Sequence, residues 1–143
     1  MTRGVCLAST LLLLTACPAD EIVELENVGV ACLGSHEGGV ADIDEDAAST
    51  IFVTLDSCAS GCASEIETSC TATLDGTTIA VTADASMMLP GGNASCPLVC
   101  TFVQAECDTE ALPAGTYTLE YAGQSTTLEV PSMDSDVCTA MPL

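Results

Sequence analysis

Apolar and polar residues alternate at period two along most of the chain, and beyond the first sixteen residues no segment sustains a 3.6-residue repeat. The alternation predicts short strands separated by Gly, Pro, Asp and Ser clusters. Val28–Leu33 is the first, and Thr50–Leu55 follows with Ile51, Val53 and Leu55 on one face. Cys70–Leu74 and Thr77–Thr82 flank Asp75-Gly76, a pair suited to the positive-φ positions of a type I′ hairpin turn. Ile79 and Val81 should then face the same way as Cys70, Ala72 and Leu74. Cys100–Cys107 puts Val103 and Ala105 on one side and Phe102 on the other. A closing hairpin follows, with Tyr117, Leu119 and Tyr121 inward, a turn over Ala122-Gly123-Gln124, then Thr126, Leu128 and Val130 inward. Residues 34–49, 57–68 and 84–97 read as loops. About seven strands with regular turn signals predict an all-β fold, an antiparallel β-sandwich of immunoglobulin-like type over residues 28–143.

The stretch Pro113-Ala-Gly-Thr-Tyr-Thr-Leu119 and its following Gly turn resemble the last hairpin of secreted immunoglobulin-like or prealbumin-like modules. That likeness speaks to fold and carries no activity.

The N-terminus has a different pattern. Arg3 precedes an apolar run, Gly4 to Leu14, that ends in four leucines. This is about half of the ~20 apolar residues that span a bilayer, and its length and flanks predict a secretory signal over residues 1–16. The next residues, Leu14-Thr15-Ala16-Cys17, resemble the cleavage and lipidation motif of bacterial lipoprotein precursors. The resemblance implies cleavage before Cys17, a thioether-linked diacylglycerol on its sulfur and acylation of its new amino group. It also implies an outer-membrane address, because Pro18 stands where an inner-membrane retention Asp would be. Residues 17–27, with Asp20, Glu21, Glu24 and Glu26, read as a lipidated acidic tether, although Ile22, Val23 and Leu25 could open an edge strand.

Ten cysteines change the energetic picture. Cys6 leaves with the signal and Cys17 takes the lipid, so Cys32, Cys58, Cys62, Cys70, Cys96, Cys100, Cys107 and Cys138 remain as an even set for disulfides. The envelope outside the cytosol permits such bonds. They are needed, because the chain offers its core at most four aromatics, Phe52, Phe102, Tyr117 and Tyr121. Eight cysteines allow 105 pairings; joining the first strand to the C-terminal segment favours Cys32 with Cys138. Up-and-down strands put Cys58, Cys62, Cys70, Cys96 and Cys100 near one end and Cys32, Cys107 and Cys138 near the other. Both sets are odd, so one bridge must use a mid-strand position. The Cys58-x₃-Cys62 and Cys96-x₃-Cys100 spacings could hold zinc, but an oxidising compartment favours bridges. A redox enzyme would call for Cys-x₂-Cys on a βαβ pattern, which is missing.

Charge narrows the function. All 21 acidic residues lie beyond Cys17 and the one basic residue is Arg3, so residues 17–143 carry a formal charge of −21. Such a surface repels nucleic acid and anionic lipid, so no nucleic-acid role is expected. It attracts cationic partners and divalent ions. Asp42, Asp44 and Asp46 alternate as in the first part of a calcium loop, but Ala47 and Val53 occupy the positions that need Gly and Glu, so only a looser, weak calcium site is conceivable. No other cofactor is expected. His36, between Ser35 and Glu37, is the single histidine, and neighbours in a Gly-rich loop rarely converge on one nucleophile. Met87-Met88 with His36 is a weak soft-metal pattern, and Asn93-Ala-Ser95 is a glycosylation sequon that would stay silent in a bacterium.

The expectation is therefore a non-enzymatic, lipid-anchored envelope protein, resembling the small Cys-rich lipoproteins of Gram-negative bacteria, with a structural or interaction role. The alternative is a binding module for a cationic or calcium-bridged ligand, an adhesin or a peptidase-inhibitor scaffold presenting the 57–68 or 85–96 loop. A hydrolase is a distant third.

Overall fold

The computed structural model describes residues 19–34, 43–92, 95–132 and 137–139. Cys17, His36, Asp42 and Asn93 lie outside the described residues, as do the signal segment and Ser35 and Glu37. Period-two alternation has become strand throughout, with no helix among the described residues. The strands are β1 (Glu21–Glu26), β2 (Val30–Leu33), β3 (Thr50–Ala59), β4 (Ser64–Asp75), β5 (Thr78–Leu89), β6 (Thr101–Asp108), β7 (Gly115–Tyr121), β8 (Gln124–Val130) and β9 (Val137–Cys138).

They form two sheets. The first is organised around β5, which has β4 along its whole length on one side. On its other side β1 pairs with residues 84–89 and β7 pairs with residues 78–80, so β1 and β7 lie end to end along one edge, with β8 beyond β7. The second sheet runs β6-β3-β2-β9. The inner faces supply the core: Ile79, Val81, Ala83, Ala85 and Met87 of β5 and Leu119 and Tyr121 of β7 lie over Ile51, Val53 and Leu55 of β3 and Val103 of β6.

Four expectations are corrected. Among the described residues nine strands replace about seven, because β1 joins the first sheet and β9 the second. The segment read as a tether is, from Glu21 onward, the edge strand that Ile22, Val23 and Leu25 could open, held by six register pairs to β5; the repulsion among Glu21, Glu24 and Glu26 is outweighed by ladder hydrogen bonds and by burying Val23 and Leu25 against the core. The 57–68 and 84–97 loops shrink, since β3 extends to Ala59, β4 begins at Ser64 and β5 continues to Leu89. Finally, the sandwich is not wholly antiparallel, for β5 and β7 run parallel from Thr78↔Thr118 to Ala80↔Glu120.

The β4–β5 hairpin closes one residue later than expected. Asp75 pairs with Thr78, so Gly76-Thr77 is the loop, and Gly76 alone takes positive φ (62°), the pattern of a II′ rather than a I′ turn. In the β7–β8 hairpin both loop residues, Ala122 (φ 50°) and Gly123 (φ 74°), are left-handed, as type I′ requires. Cys70, Ala72 and Leu74 do stand opposite Ala83, Val81 and Ile79.

Four disulfides join the eight cysteines: Cys32–Cys138, Cys58–Cys100, Cys62–Cys96 and Cys70–Cys107. The first staples β2 to β9 across a span of 106 residues. Beside it, the buried Thr139 donates its amide to the Ala31 carbonyl (2.9 Å) and accepts the Ala31 amide on its hydroxyl (3.1 Å). Cys70–Cys107 links mid-strand β4 to β6 and so crosses from sheet to sheet. It is the bridge that reconciles the odd numbers of cysteines at the two ends.

Candidate functional site

Alternation places every second residue of β1, β4 and β5 on the outer face of the first sheet, where register lines them up in rows. Glu67, Ser86 and Glu24 form one row across β4, β5 and β1. Ser69, Asp84 and Glu26 form the next. Together they line an open groove of about 490 Å³ that also includes Thr68. Neighbouring strands lie ~4.8 Å apart and alternate residues along a strand ~6.7 Å apart, so the four carboxylates are spread over a surface rather than converging on one point. Among the described residues no group of three or more His, Cys, Asp or Glu is close enough to share a metal ion.

No lysine or arginine follows Arg3 in the chain, so among the described residues none of these carboxylates has such a partner. Asp84 and Glu26 sit directly opposite one another, an arrangement of like charges that destabilises a strand pair. The Ser69 hydroxyl donates to Asp84 Oδ2 at 3.5 Å. The charge of Asp84 reaches the core as well. Tyr121, buried on the opposite face, has its phenol pushed up to about 12, first by desolvation and then by Asp84. Its hydroxyl donates to the Val28 carbonyl at 2.7 Å, tying β7 to the crossover between the sheets. Asn27 (φ 46°) completes that crossover, donating its amide to the Ala83 carbonyl (2.9 Å) and accepting the Ala83 amide on Oδ1 (3.1 Å). It fills the edge of β5 just beyond β1. A second hollow of about 340 Å³ opens beside it, along Ala80, Val81 and the Ala122-Gly123 turn.

A different surface lies at the end of the sandwich where β3 passes to β4. The turn over residues 60–63 is closed by the Ala63 amide donating to the Ser60 carbonyl (2.8 Å). Opposite it, Cys96 and Cys100 are tied to Cys62 and Cys58, so the strap Pro97-Leu98-Val99 is cross-linked at both ends. Gly61 packs flat beneath it: a Cβ there would lie 2.5 Å from the Pro97 carbonyl oxygen and 2.9 Å from that of Val99. Leu98 is fully exposed (106%) and Val99 largely so (61%).

The expected presenting loops are thus replaced. Residues 57–68 are mostly the ends of β3 and β4, the first five residues of 85–96 belong to β5, and the segment framed by two disulfides is 96–100. Of the acidic triplet, Asp44 and Asp46 are exposed in a turn pinned on both sides by the bridges Ile43↔Ser132 and Ala47↔Leu112, and Asp42 is outside the described residues. The zinc spacings are resolved as disulfides, because Cys58 and Cys62 bond to Cys100 and Cys96 instead of sharing an ion.

The carboxylate rows were missed by sequence reading, which put Glu24 and Glu26 in a tether and Glu67 in a loop. Their signal was the alternation Glu21-Ile-Val-Glu-Leu-Glu26 and its counterpart Glu65-Ile-Glu67. Comparison with protein-family models, curated proteins and solved structures finds no significant match to this chain.

Proposed function

We propose that this chain is a non-enzymatic envelope protein, exported and lipid-anchored through Cys17, that serves as an interaction module for a cationic partner. The observation that carries the partner's chemistry is the pair of register rows on the first sheet, which set Glu24, Glu26, Glu67 and Asp84 around one open groove. A basic peptide or a Lys- and Arg-rich protein surface would match their spacing. It would also relieve the repulsion between Asp84 and Glu26. The anchoring reading rests on the Leu14-Thr15-Ala16-Cys17 motif, and the outer-membrane address on Pro18.

The immunoglobulin-like character of the sandwich draws support from Tyr117, whose hydroxyl donates to the Pro113 carbonyl four residues upstream at 2.8 Å. Such a tyrosine corner recurs in immunoglobulin-type sandwiches.

A fluorescent oligolysine peptide tests the partner chemistry. Binding is expected at low ionic strength, weakening as salt screens charges beyond ~8 Å at physiological strength. The double substitution Glu26→Gln, Asp84→Asn should lower the affinity, whereas Asp44→Asn, Asp46→Asn at a separate site should change it much less. Equal losses from the two pairs would mean that net charge alone, and not the groove, attracts the peptide.

A further inference from the structure

The strap Pro97-Leu98-Val99 is unusual in a chain so strongly acidic. It presents the most exposed aliphatic side chain among the described residues, and it is held rigid by two disulfides and the Gly61 contact. Its position relative to the N-terminus decides what it faces. Glu21 pairs with Leu89, while Ser64 pairs with Met88, which in turn pairs with Ile22. The start of β1, the 60–63 turn and the cross-linked strap therefore share one end of the sandwich. The β4–β5 turn at Gly76-Thr77 is at the other end. Asp20 is already fixed to that same end, its Oδ1 accepting the Gly91 amide at 3.2 Å. Only three residue steps separate Cys17 from Asp20, at most about 11 Å of chain.

We infer that this end of the sandwich is apposed to the lipid bilayer, with Leu98 and Val99 inserted at its interface; the inference rests on the anchoring of Cys17. A linker this short holds the anchored end against the headgroups. Exposed aliphatic groups there exchange water for lipid. Ile22 (66% exposed) lies at the same end and can widen the contact. Two or three side chains are too few to hold a free protein on a membrane, but a tethered one needs no more, because the anchor raises the local concentration of the tip. Asp20, Glu21 and Glu65 belong to the same end, so the contact is shallow and favours zwitterionic over anionic headgroups. In this orientation the carboxylate groove on the side of the first sheet stays open to a soluble partner.

The chain contains no tryptophan, so one introduced residue reports alone. Full-length protein is expressed with its leader, purified from membranes and reconstituted in phosphatidylcholine vesicles carrying a nitroxide near the headgroup. Leu98→Trp is expected to lose most of its emission and shift to the blue. Thr77→Trp, in the exposed turn at the opposite end, should be unaffected. Flotation with the vesicles while Leu98→Trp is as unquenched as Thr77→Trp overturns the docked tip and leaves the anchor intact. Failure to float, with no acyl mass on the purified chain, overturns the anchor and this inference with it. If the unquenched tip instead inhibits an endopeptidase with an apolar specificity pocket, and Leu98→Asp abolishes that inhibition, the strap faces a protein and the bilayer reading falls.

Discussion

Reduction of the four disulfides is expected to unfold the protein at neutral pH and low salt. The core is built largely from Val, Leu, Ile and Ala, with Tyr117 and Tyr121 its only buried aromatics among the described residues. No Lys or Arg follows position 3 to offset 21 acidic groups. Each bridge restricts the unfolded chain, and the effect grows with the length of chain closed. Cys32–Cys138, with a separation of 106 residues, should contribute most, roughly 4–5 kcal/mol by loop entropy. Cys70–Cys107 closes 37 residues and should contribute roughly 3–4 kcal/mol while also fixing the two sheets face to face. Circular dichroism with and without reductant, and denaturant melts of Cys32→Ala, Cys138→Ala and of Cys70→Ala, Cys107→Ala, measure these effects. Cooperative melting of the fully reduced chain at the oxidised midpoint would contradict the assignment of stability to the bridges. Salt should partly rescue the reduced protein, because screening weakens the self-repulsion.

Gly29→Ala is expected to be among the most damaging single substitutions. The chain crosses from β1 to β2 here with φ at 88°, and a Cβ would lie 2.0 Å from the Thr54 carbonyl oxygen and 3.0 Å from its carbon. Both obstacles are backbone of the central strand β3, which cannot move aside without disturbing its pairing with β2 and β6. Left-handed backbone and overpacking together should cost about 3 kcal/mol or more. Gly76→Ala isolates the first factor, since φ is 62° there and nothing lies within 4 Å of the added methyl. Its expected cost is ~1–2 kcal/mol. Similar denaturation midpoints for the two variants would show that the close approach at Thr54 carries no cost.

Local signals fix some elements of this chain, and contacts distant in sequence decide the others. Ile51, Val53 and Leu55, or Tyr117, Leu119 and Tyr121, announce their faces through side-chain alternation alone, and the Gly123 hairpin is set by two residues. The second half of β5 is written in Ala83-Asp-Ala-Ser86, small and weakly β-forming residues whose strand character comes from β1 and β4 on either side. The acidic start of β1 is drawn into the sheet by the same neighbour. No local signal specifies the parallel contact of β5 with β7, because the two are separated by β6 in sequence. The bridge from Cys32 to Cys138 could be guessed from the ends of the domain, whereas Cys58–Cys100 and Cys62–Cys96 depend on how the 60–63 turn meets the strap. The carboxylate groove needed both the β4–β5 and the β1–β5 register at once.

The proposed function requires that this polypeptide leave the cytosol, receive a lipid at Cys17 and have its eight domain cysteines oxidised in pairs. Intact mass of the chain isolated from the cell without reductant tests it most directly. The predicted species begins at Cys17, carries the mass of its acyl chains, and lacks eight hydrogens relative to the thiol form, two for each of the four disulfides. A soluble chain that retains residues 1–16, with free thiols and no added mass, would contradict it.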